Sequence, residues 1–126
     1  MRDLYSNIEA VQALAPAVQA SATTGSAIDV KGANRIAIVV NTGAIASAGD
    51  FGVKLQESDT TTSGDFIDVA AAQVQSDAPA TLAASSAYRL GYLGFKRYIR
   101  VALTKAGGTS IVAGATAIRS DLAERP

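Results

Sequence analysis

The segment 97–104 alternates between apolar and more polar side chains over one strand length. Ile99, Val101 and Leu103 fall on one side of it. Successive side chains of a β-strand point to opposite faces, so this period of two predicts a strand with one face in the core. Gly107-Gly108 follows, and glycines accept the positive φ angles of a tight reversal. The segment therefore predicts a central strand and a turn into the next strand.

Other segments carry strand patterns of two kinds. Residues 36–40 are apolar at every position, which is typical of a central strand that is covered on both faces. Residues 51–57 alternate, with Phe51, Val53 and Leu55 predicted to point inward. Around eight short segments of this kind, separated by turn residues and without a long helical pattern, predict an all-β, single-domain β-sandwich. We expect it to be jelly-roll-like and to span residues 17–119.

The N-terminal segment, residues 1–16, has a different pattern. Its apolar residues have rough helical spacing and are Leu4, Ile8, Val11 and Leu14. Residues 6–9 have the form of a capping box, and Pro16 ends any helix that follows. Because one or two isolated helical turns are marginal in water, an extended arm is the competing interpretation. In either form we expect the segment to pack on a neighbouring subunit or another protein surface, and we expect residues 120–126 to be a mobile tail.

Composition narrows the classes of function. The 126 residues include 11 basic and 11 acidic side chains, so the formal net charge is zero. This balance argues against a general nucleic-acid or membrane-surface binder, which needs an excess of positive charge. The chain has no Cys and no His, and so lacks thiolate chemistry, the usual general base and the commonest metal ligand. We predict a non-enzymatic protein without catalytic, cofactor or metal residues, made in the cytoplasm because no signal-peptide core is present.

An acidic set surrounds one polar loop and consists of Glu57, Asp59, Asp65 and Asp68. Such oxygen ligands suit Ca²⁺, but their spacing matches no EF-hand. Paired carboxylates also serve glycoside hydrolysis, yet the chain has no Trp to stack on sugars. We therefore interpret the set as a solvated hairpin loop.

Basic and aromatic residues are interleaved between positions 88 and 105. Such a pattern can bind single-stranded nucleic acid, but Tyr and Arg are also enriched at protein interfaces. Zero net charge favours the protein interface. The glycines at 91 and 94 predict a backbone bend, because no phosphate-loop signature follows them. The predicted interface residues are Leu4, Ile8, Val11, Tyr92, Phe95, Lys96 and Arg97.

Three stretches together resemble a family of small structural proteins of tailed phages and prophages. Val53 to Asp59 reads as a strand ending in Lys-Leu-Gln-Glu-Ser-Asp, 65–69 as an aromatic-Xaa-Asp-Val strand, and 91–101 contains Gly-Xaa-Lys-Arg-Tyr-Xaa-Arg-Val. The resemblance covers residues 27–118. The family usually has Trp where this chain has Phe66, so that contact is smaller here.

The resemblance implies a capsid decoration, or cement, protein: β-rich, often trimeric, and bound to the major capsid protein on the outer surface of the virion head. It implies no cofactor, nucleic acid or membrane partner. A head–tail connector or another tail component is the alternative within the phage class, and a carbohydrate-binding module is the alternative outside it. Binding only the mature lattice would stabilise that lattice by mass action.

Overall fold

A computed structural model describes residues 5–31 and 33–122, and these residues form ten β-strands and three short 3₁₀ turns. The strands are β1 (Ile8–Gln19), β2 (Thr23–Thr24), β3 (Ile28–Asp29), β4 (Ala33–Ala46), β5 (Asp50–Ser58), β6 (Ile67–Asp68), β7 (Val74–Ser76), β8 (Ala87–Tyr92), β9 (Tyr98–Gly107) and β10 (Ser110–Leu122). The 3₁₀ turns are Tyr5–Asn7, Ser63–Asp65 and Ala71–Gln73.

The strands form two antiparallel sheets. Sheet A has the order β1-β10-β4-β8-β7, and sheet B has the order β2-β9-β5-β6, with β3 also paired to β9. One core cluster joins the two sheets, because Ile38, Val40 and Leu90 of sheet A pack with Leu55 and Val101 of sheet B. The predicted all-β sandwich is therefore confirmed. The pairings do not establish its jelly-roll subtype, which stays a prediction.

Strand β9 has the central position that its alternation predicts. Ile99, Val101 and Leu103 are buried, and β9 pairs with β5 on one side and with β2 and β3 on the other. The predicted turn follows it, and Gly108 there has a φ of +75°, a conformation that residues with a Cβ seldom adopt. Phe51 and Leu55 of β5 also point into the core as predicted.

The prediction for residues 1–16 is wrong where the structure describes them. Residues 8–16 belong to β1, which pairs with β10 along its length, and Ala13 and Leu14 are buried in the sandwich's own core. The apparent helical spacing has a different cause. Register shifts between Gln12 and Leu14 and between Leu14 and Ala17 interrupt the period of two. Pro16 is tolerated because β1 is an edge strand. The backbone N–H that proline lacks is not needed there for a hydrogen bond to a neighbouring strand.

The two chain ends are joined by pairing and by an ion pair. Ile8 pairs with Ser120, and Arg119 Nη1 donates to Glu9 Oε1 at 2.6 Å. Strand β10 continues to Leu122, so the expected boundary at 119 and the mobile tail from 120 are wrong for residues 120–122. The remainder of that tail lies outside the described residues, and no segment boundary separates residues 8–16 from the sandwich.

The register brings several strand ends together at one end of the sandwich, named here the β8–β9 end. Strand β8 ends there at Tyr92 and β9 begins at Tyr98, which pairs with Ser58 at the end of β5. The start of β4 and the end of β10 are also there, because Ala37 pairs with both Gly91 and Ile118. This end positions the candidate site.

Candidate protein interface

The β8–β9 loop, residues 93–97, crosses from sheet A to sheet B at the β8–β9 end. It carries two exposed large apolar side chains, Leu93 and Phe95, which are 57% and 84% exposed. Isolated exposed apolar residues are ordinary on protein surfaces. This pair is unusual because the loop that presents it is fixed to the core by several directed contacts.

Tyr92, at the end of β8, is the main fixing point of the loop. Its side chain is buried, and its hydroxyl donates to Glu57 Oε1 at 2.6 Å and accepts from the Lys96 backbone N–H at 3.0 Å. Burial, followed by the hydrogen bond to Glu57, raises the pKa of the Tyr92 hydroxyl well above its usual value of 10.0. The phenol therefore remains a donor to Glu57 at neutral pH.

Gly94 allows the loop to lie directly on the Tyr92 ring. A Cβ at this position would come within 2.5 Å of the ring carbon that carries the hydroxyl. The Leu93 N–H donates to the Gln73 carbonyl at 2.7 Å, which ties the loop to the preceding 3₁₀ turn as well. The predicted backbone bend at 91–94 is therefore present, and its second glycine is required by this close approach.

Two ion pairs hold the charged part of the loop. Lys96 Nζ lies 3.0 Å from Asp59 Oδ2, and the guanidinium of Arg97 makes two hydrogen bonds to the carboxylate of Asp29, at 3.1 and 3.3 Å. The hydrogen bond from Arg97 lowers the pKa of Asp29, and the same contact raises the pKa of Arg97. Exposed ion pairs contribute little to stability, so these two pairs orient the side chains more than they stabilise the fold.

Other exposed apolar side chains lie at the same end of the sandwich. Ile67 of β6 pairs with Glu57 and lines a shallow depression of about 250 Å³ together with Lys96. Tyr5, in the 3₁₀ turn before β1, is exposed near the paired ends of β1 and β10. The β8–β9 end therefore concentrates exposed apolar groups beside charged groups that are already paired.

The structure places the predicted interface residues unevenly. Among those that the structure describes, Phe95 is the most exposed, whereas Lys96 and Arg97 are partly exposed and paired with carboxylates. Tyr92 is buried, so it supports the loop from beneath and offers little surface to a partner. Val11 is half-buried; it packs against the core and also lines an open groove on sheet A, so its contact with a partner stays a prediction. Ile8 is half-buried in β1, and Leu4 lies outside the described residues.

The acidic set does not converge on one point. Tyr92 binds Glu57, Lys96 pairs with Asp59, and Thr60 Oγ1 donates to Asp65 at 2.7 Å. Asp68 accepts from Lys54 and Gln56. Within residues 5–31 and 33–122, no three acidic side chains are grouped closely enough to hold a metal ion. Over the same residues, no helix has the length and hydrophobicity that a membrane crossing requires.

The remaining basic and aromatic residues mostly bind within the chain. Arg100 donates to Gln56 Oε1 at 2.8 Å and its guanidinium lies 4.3 Å from the centre of the Phe66 ring. Lys105 donates to the Ala20 carbonyl, and Arg89 lies 3.4 Å from Asp77. These cations therefore each have a partner within the chain.

The sequence predicted that Glu57 lies in a solvated loop, whereas the structure buries it against Tyr92. The alternation in β5 does indicate an inward position for Glu57, since it follows Phe51, Val53 and Leu55 at the same interval of two. The exposure of Ile67 and Leu93 was also missed. No local signal marks these two, because their exposure depends on where the sheet ends.

Comparisons with known proteins add little. No protein-family model and no curated protein matches the chain. Among solved structures, a chain in the structure of infectious bursal disease virus Gx strain aligns with 94% of this chain at 15% identity and a TM-score of 0.41. The alignment covers 34% of that chain, so this protein spans about a third of its length. A similarity at this level assigns neither fold nor function.

Proposed function

We propose that this chain is a non-enzymatic structural protein of a tailed-phage virion. In this proposal it decorates the outer surface of the head by binding the major capsid protein, and it assembles as a homo-oligomer, a trimer by resemblance. Neither a cofactor, a nucleic acid nor a membrane takes part. The resemblance of residues 27–118 to tailed-phage structural proteins is the reason for proposing a place in a phage particle. The geometry of the β8–β9 loop is the reason for proposing that loop as the docking surface.

The observation that carries the docking surface is the fixed presentation of Phe95. Its loop is held by the Tyr92 hydroxyl, by the close approach at Gly94 and by the Lys96–Asp59 ion pair. A preorganised aromatic side chain loses little conformational entropy on binding, and aromatic anchors dominate protein interfaces. A rigid end of this kind suits a non-catalytic protein that must fit a repeating protein lattice.

The stabilising effect follows from selective binding. A protein that binds the mature lattice but not its unexpanded precursor shifts the equilibrium toward the mature form. Many equivalent copies multiply this effect around the shell. Such a role requires a stable scaffold and a docking surface, and the β-sandwich and the fixed β8–β9 loop support the proposal on these two points.

Co-sedimentation with heads of the phage that encodes the protein tests the proposal. Wild-type protein is expected to bind mature heads, and Phe95→Ala is expected to weaken binding by about 10-fold or more, as truncation of a central aromatic anchor does. Thr104→Lys is the control, because Thr104 is exposed on the outer side of sheet B, away from the loop. It should bind as the wild type does.

Three results would overturn the proposal. The protein could bind tails or connectors and not heads, it could be absent from purified particles, or it could bind glycans without any virion component. Equal binding by Phe95→Ala and wild type would remove the β8–β9 loop as the docking surface.

A further inference from the structure

The shallow depression beside Ile67, at the β8–β9 end, carries more negative than positive charge. It has a volume of about 250 Å³, and its charged lining residues are three carboxylates, Glu57, Asp59 and Asp65, and one ammonium, Lys96. Lys96 pairs with Asp59 at 3.0 Å. Among the described residues, Glu57 and Asp65 therefore have no cationic partner.

Glu57 is the buried carboxylate of this depression. The residue is only 7% exposed, and its Oε1 accepts from the Tyr92 hydroxyl at 2.6 Å. No donor within residues 5–31 and 33–122 forms a hydrogen bond to its Oε2. In the same part of the chain, Arg119 Nε is the one fully enclosed side-chain atom without a partner, so Glu57 Oε2 still reaches solvent. Because the depression is the open space that Glu57 lines, we place Oε2 at its base.

This carboxylate is incompletely satisfied by its own chain. An ionised carboxylate offers about four acceptor positions on its two oxygens, and the Tyr92 hydroxyl occupies one of those of Glu57. Polar groups that are this deeply buried are normally hydrogen-bonded, because an unpaired buried charge is costly. The open acceptor of Glu57 therefore suits a donor that comes from outside the chain, and a cationic donor most of all.

The wall and rim of the depression are apolar. Ile67 lines it and is 59% exposed, and Phe95, next to Lys96 in the chain, is 84% exposed. Carboxylates at the base and apolar groups above them fit a side chain with an apolar stem and a cationic end. Asp65 is held in place by the Thr60 hydroxyl, which donates to it at 2.7 Å, so its charge is available at a fixed position.

We infer that the depression binds an arginine side chain of the protein on which the β8–β9 end docks. Within the described residues, no three acidic side chains are close enough together to hold a metal ion. A guanidinium is a planar group with five N–H donors that point outward, so it reaches carboxylates that are too far apart to share one ion. As a contact with a phage head this inference rests on the proposed function, whereas the binding of arginine itself does not.

Titration of isotope-labelled protein with N-acetyl-arginine amide, followed by backbone NMR, tests the inference without any phage particle. Saturable shifts are expected at residues 57–60, 65–67 and 96. N-acetyl-citrulline amide has nearly the same shape without the charge, and it should bind at least about 10-fold more weakly. N-acetyl-lysine amide should also bind more weakly than arginine, because its compact ammonium reaches fewer carboxylates.

Three variants locate the site. Asp65→Asn removes an exposed charge and leaves the bond between Tyr92 and Glu57 intact, and it should weaken arginine binding by about 3-fold. Glu57→Gln keeps an acceptor for Tyr92 but removes the buried charge, and it should weaken binding by about 10-fold or more. Asp77→Asn is the control, because it removes an exposed carboxylate that pairs with Arg89 elsewhere on the surface, and it should bind arginine as the wild type does. If Glu57→Gln fails to fold, Asp65→Asn still tests the site.

Absence of saturable shifts at these residues would overturn the inference. So would equal binding of the citrulline or the lysine derivative, or undiminished arginine binding by Asp65→Asn. Arginine binding by a protein that does not bind phage heads would refute the proposed function and support this site. Head binding without any arginine binding would refute the site and leave the proposed function standing.

Discussion

The outer faces of the two sheets differ in how far the chain itself covers them. On sheet B, Lys54 pairs with Asp68 at 3.0 Å and Arg100 bonds to Gln56. The Phe66 ring lies under the Arg100 guanidinium and is only 8% exposed. The part of this face around Arg100 is therefore covered by the chain itself, with an aromatic ring and a network of charged and amide groups, whereas Thr104, farther along β9, is exposed.

The outer face of sheet A has no comparable cover among the described residues. Val39, Val112 and Thr116 line an open groove beside Gly114, and the exposed Arg89 of β8 pairs with Val39 at its border. Within the described residues, the chain covers part of the outer face of sheet B itself and leaves this part of sheet A open.

Of the substitutions that test this contrast, removal of the Phe66 ring should cause the largest change in the free energy of unfolding. Phe66→Ala is expected to lower the free energy of unfolding by about 3 kcal/mol, as buried Phe truncations do. It also removes the ring beneath Arg100. Urea denaturation at a concentration where the protein is monomeric measures the effect.

Phe95→Ala is the matched control for that experiment. The Phe95 ring is 84% exposed, so its removal should change the free energy of unfolding by less than about 0.5 kcal/mol. Equal losses for the two variants would mean that Phe66 does not cover sheet B in the way the structure describes.

Two neighbouring valines give a second test, in which the expected changes in the free energy of unfolding are smaller. Val40 faces the core and is 1% exposed, while Val39 is half-buried on the outer face. Val40→Ala should cost about 2 kcal/mol, from roughly two buried methyl groups and the cavity they leave. Val39→Ala should cost less than about 1 kcal/mol. Urea unfolding of the two variants measures these costs, and equal costs for Val39→Ala and Val40→Ala would contradict the opposite orientations of the two side chains.

Local alternation predicted the central features of this fold. The period of two in β9 and β5 identified the strands and the inward side chains, because each core position lies within its own strand pattern. The apolar run at 36–40 also predicted two-sided cover, of which the described chain supplies one side. These features are encoded over a few consecutive residues.

Features that depend on distant partners were not predictable in this way. The register shifts in β1 disguised a strand as helical spacing, because a bulge depends on the pairing with β10. The role of Tyr92 as an internal support depends on Glu57, 35 residues away. Phe95, by contrast, was predictable as a candidate from its place in a basic and aromatic loop.

The smallest predicted effect is a difference in pH sensitivity between the two faces. Hydrogen bonds from Gln56 and then Lys54 lower the pKa of Asp68, and the bond from Arg97 lowers that of Asp29, each from 3.8. A carboxyl whose folded pKa is depressed contributes stability above its unfolded pKa, and this contribution is lost as the pH falls through the folded value. Because both groups are largely exposed, each contribution is at most about 1 kcal/mol.

Asp68→Asn should therefore reduce the loss of stability on acidification below about pH 4, and it should leave the slope near neutral pH unchanged. Urea denaturation across this range, in low and high salt, measures it, and high salt should shrink the difference because it screens exposed pairs. An equal loss of stability on acidification in Asp68→Asn and wild type would contradict the stabilising role of the contacts to Asp68.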